Sequence, residues 1–366
     1  MSANVERERV VWPAFRGRGT GDNPSGRFES LARAPVDDGW DTIDELMAEP
    51  GPKTVISSDS SRTVVARNTS PDLPFDRSVN PYRGCEHGCI YCYARPTHNW
   101  LGLSSGLDFE TKILAKHDAA ELLKQELAKP GYRCSPLALG TNTDPYQPAE
   151  RRLGLTRAVL GVLAETRHPV GIVTKSALVL RDLDILAPMA ASGLARVYLS
   201  LTTLDREIAR TLEPRAAAPH RRLETMAALA AAGVPVGVMT APIIPALTDH
   251  EIERLLGAAA EAGAQSAGYV LLRLPHDVAA LFEDWLEKHY PLRRAHVLSA
   301  IRQTREGRLN DPQIGSRMRG TGVVARLIEQ RFTRACARLG LNRRRMPQRT
   351  DLFRPPARDG QLDLFG

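Results

Sequence analysis

An α/β fold curled into a partial (β/α)6 barrel of the TIM type is what the sequence predicts, and three observations predict it. Short apolar runs with the texture of buried parallel strands recur along the chain: PLALG (136–140), VGIVT (170–174), VYLSL (197–201), VGVM (236–239) and YVLL (269–272). Stretches of helical periodicity separate them. A further short strand near Ser78–Asn80 brings the count to six, and repeated right-handed βα crossovers curl such units into a barrel that six cannot fully close. A doubly wound open sheet shares the same periodicity and remains the alternative.

The elements follow in order. Residues 1–52 mix Pro, Gly and Arg with acidic residues such as Asp37, Asp38, Asp41 and Asp44, which predicts an extended or partly disordered arm with one short helix near Thr42–Met47. The barrel occupies 53–290. Its helices fall at Asp118–Ala128, stopped by Pro130 and Gly131, near Leu155–Thr166, Leu180–Ser192 and His220–Ala232, and from Asp249 to Gly263. Phe282, Trp285 and Leu286 stand at helical spacing and read as core. A basic helical extension covers 291–345, and 346–366 reads as a flexible tail.

A chain of 366 residues can bury a sizeable core. It contains no run of eighteen apolar residues, and its start lacks an apolar segment followed by a cleavage site, so a cytoplasmic protein with no membrane partner is expected. The net charge of +7 is unevenly spread. Fifteen Arg against four acidic residues between Arg302 and Arg358 give that segment +11, densest at Arg343–Arg345, while the rest is slightly acidic. Such a block is either a solvated face or a footprint for a polyanion, DNA being the usual one.

The chemistry lies in RGCEHGCIYCYARPTH, where Cys85, Cys89 and Cys92 stand as C-x3-C-x2-C with Tyr91 before the third. Three thiolates on a short loop can hold three irons of a [4Fe-4S] cubane and leave the fourth open. Structural zinc would need a fourth ligand, which His87 or His98 could supply. Cys134 and Cys336 are isolated and read as ordinary semi-buried thiols. The strand ends carry Thr141, Asn142, Thr143 and Asp144, then Thr174, Lys175 and Ser176, then Ser200, Thr202 and Thr203. A zwitterionic ligand bearing a ribose would find Asp144 for its ammonium, Lys175 for its carboxylate and hydroxyls for the sugar. Arg273 and His276 follow the sixth strand and either line the substrate side or cap a helix.

This combination of cysteine loop and βα units resembles the radical S-adenosylmethionine (SAM) superfamily, and within it the branch of spore photoproduct lyase and the relatives labelled DNA repair photolyases. The resemblance runs from about Ser78 to Leu339 through TDPYQP, TKSALVLRDLDIL, SLTTLD, EPRAAAPHRR and APIIPALTD. It implies an enzyme with a [4Fe-4S] cluster on Cys85, Cys89 and Cys92 that cleaves SAM reductively to a 5′-deoxyadenosyl radical for hydrogen abstraction. It implies Tyr91 beside the adenine, with Asn142, Thr143, Asp144, Lys175 and Ser200 around SAM. It places Tyr91 and Tyr93 on the lyase's hydrogen-transfer path, which makes Tyr93 the candidate catalytic residue. An electron donor such as flavodoxin or ferredoxin is the implied partner. One departure matters: the lyase has a hydrogen-donating cysteine where this chain has Asn142, so its reaction does not carry over. The expected function is radical SAM chemistry on nucleic acid, against a radical SAM enzyme for a protein or small molecule, or a non-enzymatic Fe–S or zinc protein that binds nucleic acid.

The last residues, Gln361 to Phe365, resemble the motif with which bacterial DNA polymerases and repair proteins dock a sliding clamp. The competing reading folds Leu362, Leu364 and Phe365 back onto the barrel bottom, as a second pair, Leu352 and Phe353, also suggests.

Overall fold

Six parallel strands, in the order β3-β6-β7-β8-β9-β10, make the wall of the barrel. They are β3 (Arg77–Val79), β6 (Leu137–Leu139), β7 (Val170–Thr174), β8 (Ala195–Ser200), β9 (Val236–Ile243) and β10 (Ser266–Leu271). The computed structural model describes residues 15–29, 52–343 and 348–356. The expected helix at 42–47, Arg344, Arg345 and the clamp-like Gln361–Phe365 lie outside the described residues.

Each apolar run forms its strand with one face packed in the core, where the alternate residues Val170, Ile172, Val197, Leu199, Val236 and Val238 are fully buried, while Gly171, Val173, Arg196 and Tyr198 on the other face are half-buried. The helices Ala119–Leu127, Leu155–Glu165, Leu183–Ala191, Pro219–Ala231 and Ile252–Glu261 fall within a few residues of their expected bounds. Between β3 and β10 the wall stays open, as expected. Strand β2 (Val65–Arg67) pairs antiparallel with β3 and covers one edge. At the other edge Leu271 N donates to the Met318 carbonyl at 2.9 Å. The buried guanidinium of Arg305 donates to the Leu271 and Leu272 carbonyls, at 2.8 and 3.0 Å, and to those of Ser316 and Arg317.

Three features were not legible in the sequence. A small second sheet joins β1 (Val55–Ser58), β5 (Lys112–Ala115) and β4 (Tyr82–Arg83), whose strands are too short to show periodicity. The carboxyl-terminal helix Gly322–Leu339 is no appendage, because Ile328, Phe332, Ala335 and Cys336 join the main core and Arg331 pairs with Glu253 at 2.6 Å. Residues 15–29 are an ordered strap across the cysteine loop.

The segment 348–356 closes the barrel bottom. Gln348 donates to the carbonyls of Val170 and Leu194, Arg349 N to Gly193 O, and Arg354 N to Thr166 O. Leu352 and Phe353 pack on the main core, with the Phe353 ring 5.3 Å from His168 and 5.4 Å from Tyr132. His168 is buried and donates Nδ1–H to the Pro169 carbonyl while Nε2 accepts from the Tyr132 hydroxyl at 2.9 Å, which fixes the neutral tautomer.

Burial holds the His168 pKa at about 4, below the 6.5 of an exposed imidazole, so the unfolded chain binds the proton more tightly than the folded one. Its contribution is therefore complete above about pH 6.5 and is lost as pH falls through about 4. Urea unfolding followed across that window should show His168→Gln losing less stability on acidification than the parent chain, by up to about 3 kcal/mol. Parallel curves for the two proteins would refute this.

Candidate functional site

The cysteine loop leaves β4 and lies over the carboxyl ends of β6, β7 and β8. Cys85 N donates to the Phe109 carbonyl at 2.9 Å and Ile90 N to the Leu212 carbonyl at 3.0 Å, while Gln147 holds Glu86 N at 3.0 Å and the Gly84 carbonyl at 3.1 Å. Cys85 and Cys89 are buried and Cys92 is half-buried. Behind them Cys89, Ile90 and Tyr91 share an apolar cluster with Ile208, Leu212, Phe282 and Trp285. The helix Asp277–His289 is thus core, as expected, and it buttresses the loop.

Arg95 sets the shape of the loop. It is fully buried, pairs with the equally buried Glu110 at 2.5 Å, and donates to the carbonyls of Gly88, Cys89, Ser105 and Gly106 at 2.9–3.1 Å. Glu110 Oε2 also accepts from Gly19 N at 2.8 Å, which ties the strap to the loop. Gly88 has φ +65, and a Cβ on Gly19 would run into the Gly88 carbonyl oxygen, so both positions require glycine.

The thiols suit a cationic centre. Burial and the neighbouring Asp144 and Cys89 push the Cys85 thiol well up, and burial pushes Cys89 to about 12, although Lys175 opposes it. Each of the two therefore resists ionising until positive charge arrives, which a metal cluster brings. Among the described residues no three His, Cys, Asp or Glu side chains converge on a single point as one ion would require. His87 is taken by Asp144 at 3.3 Å, and His98 packs on Phe109 and donates Nε2–H to the Lys112 carbonyl.

The expected SAM contacts gather beside this loop, in unequal roles. Asp144 accepts from Thr174 Oγ1 at 2.7 Å, Lys175 N at 2.8 Å, Tyr146 N at 2.9 Å and His87. Burial raises its carboxyl, but His87 and these donors outweigh burial and hold the pKa at about 2. Both oxygens are engaged by the chain itself, so Asp144 fastens one βα loop to the next. Thr143 donates to the Tyr82 carbonyl at 2.9 Å, and Asn142 N donates to Asn80 Oδ1 at 3.1 Å. Ser200 is buried, and its carbonyl accepts from Arg222 at 3.0 Å.

Lys175 differs from the rest. Its ammonium makes no hydrogen bond or ion pair among the described residues and stands 5.9 Å from the Tyr91 ring centroid. Burial lowers its pKa, but Cys89 and Glu213 more than reverse that, so it stays charged. Tyr91 is buried, with its hydroxyl donating to Glu213 and lying 3.3 Å from Thr202 Oγ1. Tyr93 reaches across the mouth: its hydroxyl donates to the Thr141 carbonyl after β6, and the Arg273 guanidinium stacks on its ring at 4.6 Å after β10.

Sequence reasoning missed Glu213 and Arg222. They form a buried ion pair, and Arg222 also donates to the Ala217 carbonyl at 2.6 Å. Burial raises the Glu213 carboxyl, but Arg222 and Lys175 hold it at about 2. The signal lay in EPRAAAPHRR, where an acid and an arginine flank a turn.

Residues 79–259 match the Radical SAM superfamily. The uncharacterized proteins Rv2578c of Mycobacterium tuberculosis and Mb2609c of Mycobacterium bovis are 42% identical over 221 residues, and the uncharacterized protein MJ0683 of Methanocaldococcus jannaschii is 27% identical over 213. The mycobacterial alignments span 60% of this chain and 65% of the relatives' length. Spore photoproduct lyase, solved in complex with dinucleoside spore photoproduct, shares the fold with a TM-score of 0.55 at 16% identity, over 79% of this chain and 80% of the lyase.

Replacing Arg95 with Leu leaves the Glu110 carboxylate buried without its partner and four carbonyls without a donor. The expected loss is about 3 kcal/mol or more in urea unfolding, with a matching fall in iron retained after reconstitution. An unchanged unfolding midpoint would show that the pair does not hold the loop.

Proposed function

We propose that this chain, which belongs to the radical SAM superfamily, holds a [4Fe-4S] cluster on Cys85, Cys89 and Cys92 and uses SAM to start hydrogen abstraction from a nucleic-acid substrate. The observation that carries the reading is three free cysteines on one short loop, Cys85, Cys89 and Cys92, beside an ammonium, Lys175, that makes no ion pair among the described residues, at the carboxyl ends of parallel strands. Once bound and reduced by an external one-electron donor, such a cluster would supply the electron that splits SAM into methionine and a 5′-deoxyadenosyl radical able to take a hydrogen atom from substrate.

The residues of the chain have separate tasks. Lys175 would pair with the carboxylate of the bound amino acid, since no carboxylate lies within ion-pair distance of its ammonium among the described residues, although Glu213 acts on it from farther off. Tyr91 is oriented by Glu213 and Thr202 and presents a ring rather than a free hydroxyl. Arg222 neutralises Glu213, so the wall beside the thiols carries no uncompensated negative charge. The apolar cluster behind Cys89 and Tyr91 excludes water from that side. Tyr93 lines the mouth beside Cys92 and stands where a substrate would arrive.

A nucleic-acid substrate is supported by the dinucleoside that the structurally similar lyase binds, and by the mouth of the barrel, not by the arginine-rich carboxyl segment. Arg305 caps carbonyls, Arg317 pairs with Asp72, Arg331 with Glu253 and Arg349 with Asp351. Of the described arginines after residue 301, Arg317 alone lines the mouth cavity, and it is engaged.

Anaerobic reconstitution followed by reduction with added SAM should release 5′-deoxyadenosine and methionine in equal amounts, slowly even without substrate. Cys89→Ala should abolish release, and Lys175→Ala should weaken SAM binding by roughly tenfold, the size expected for losing one charge-assisted contact. Protein that carries one zinc, no labile sulfide and no SAM cleavage would overturn the proposal.

A further inference from the structure

A cavity of about 280 Å³ opens beside Tyr93, between the strap, the cysteine loop and the segment 310–317. Neither Lys175 nor Glu213 lines it, nor does any of the SAM contacts expected from the sequence. Its lining includes Arg27, Trp100, Arg273, His276 and Arg317, with Asp311 as the one acid.

Two properties set this rim apart. The exposed aromatic rings among the described residues are Phe28, Tyr93 and Trp100, at 55%, 45% and 69% exposure, and all three stand here. Phe28 and Trp100 are 4.6 Å apart, with the Arg27 guanidinium over both at 4.7 and 5.2 Å. Leaving such rings in water is unfavourable unless something covers them. The second property is free cationic capacity. Arg273 makes no hydrogen bond or ion pair among the described residues; its guanidinium lies over the Tyr93 ring, with Asp72 and Arg317 as charged neighbours farther off. Asp311 makes no ion pair with it: its carboxylate accepts from Ser316 at 2.5 Å and from Gln313 N at 2.9 Å, and the cations nearest it are Arg305 and Arg308. Arg27 donates to His276 Nε2 at 3.0 Å and, among the described residues, otherwise lies over the two rings. His276 holds φ +50, outside the ordinary range for a side-chain-bearing residue, which aims it at Arg27.

Flat rings beside an unpaired guanidinium are complementary to a ligand that carries a planar base and a phosphate. We propose that this rim binds single-stranded nucleic acid, with a base stacked on the Trp100–Phe28 pair and an adjacent phosphate on Arg273. The inference rests on the reading of nucleic acid as substrate and adds where, and in which form, the strand is held. A duplex keeps its base faces stacked inside, so it can offer the rim phosphates but no ring. The neighbouring nucleotide would then face Tyr93 and the thiol loop.

Binding is measured on the reconstituted full chain without SAM, by fluorescence anisotropy of a short single-stranded DNA, with the same sequence as duplex and heparin as competitors. The single strand should bind tighter than the duplex, and heparin should compete poorly. Trp100→Ala should weaken single-strand binding roughly tenfold. Arg273→Ala should reduce the slope of log affinity against log salt by about 0.7, the value for one phosphate contact on a single strand. Trp100→Ala should leave substrate-free 5′-deoxyadenosine release unchanged, which reports an intact site. Equal binding of duplex, single strand and heparin, or unchanged affinity in Trp100→Ala, overturns the inference. Because the measurement omits SAM, strand binding without SAM cleavage would sink the radical reading alone, and cleavage without strand binding would sink this one alone.

Discussion

The Arg95–Glu110 pair is the constraint on which the site depends. Neither partner reaches solvent, so both pay desolvation, and an ion pair in that setting is weak evidence for stability by itself. What it provides is geometry. The planar guanidinium has five N–H groups in a fixed fork, and here they meet one carboxylate and four carbonyls drawn from the cysteine loop and from the segment 105–106. A lysine could not bridge so many acceptors. Burial raises the Glu110 carboxyl toward its neutral form, and Arg95, Gly19 N and Arg18 oppose that shift. The strap therefore contributes to keeping the pair charged, and the loop's shape depends on a segment 91 residues away from Glu110.

A second buried pair mirrors the first on the opposite side of the thiols. Glu213 and Arg222 fix Tyr91 and Thr202, and Arg222 reaches the end of β8 through the Ser200 carbonyl. The loop is held between two ion pairs whose charges cancel locally. Lys175 is left as a buried cation near Cys89 that makes no ion pair of its own among the described residues, with Glu213 acting on it only at longer range.

The barrel and the cysteines were legible because each is written in a local pattern. Apolar runs of four or five residues bounded by polar turns specify buried strands, and three thiols within eight residues specify a loop site. The buried pairs were not legible, since Arg95 and Glu110 read as ordinary surface residues until the helix Leu107–Thr111 brings them together. Charge density alone does not separate structural arginines from solvated ones at the carboxyl terminus: within the +11 segment Arg305 holds carbonyls and Arg317 pairs with Asp72. The rings at the mouth come from positions 28, 93 and 100, and no window of sequence displays them as a group. His276 was read as a lining residue or a helix cap. It lines the cavity and its side chain makes no capping bond to the helix that follows.

The open edge of the barrel explains why the mouth has a cavity at all. Six strands leave β10 with unpaired carbonyls, and a buried carbonyl without a donor is costly. Arg305 meets that requirement at Leu271 and Leu272 and, through the same guanidinium, holds the carbonyls of Ser316 and Arg317. Those contacts set the course of the segment 310–317, which forms the outer wall of the cavity. Arg317 then reaches back to Asp72 and Ser70 at the far edge, in a contact between residues 245 positions apart, and bridges the gap that the missing strands leave. The wall is thus a strap of loops held by two arginines, where a closed barrel would have strands. A closed barrel would surround a small substrate on every side. This one is bounded, on its open flank, by loops tied through arginine side chains and not by a β-ladder, a wall that suits a ligand continuing beyond the pocket, as a polynucleotide does.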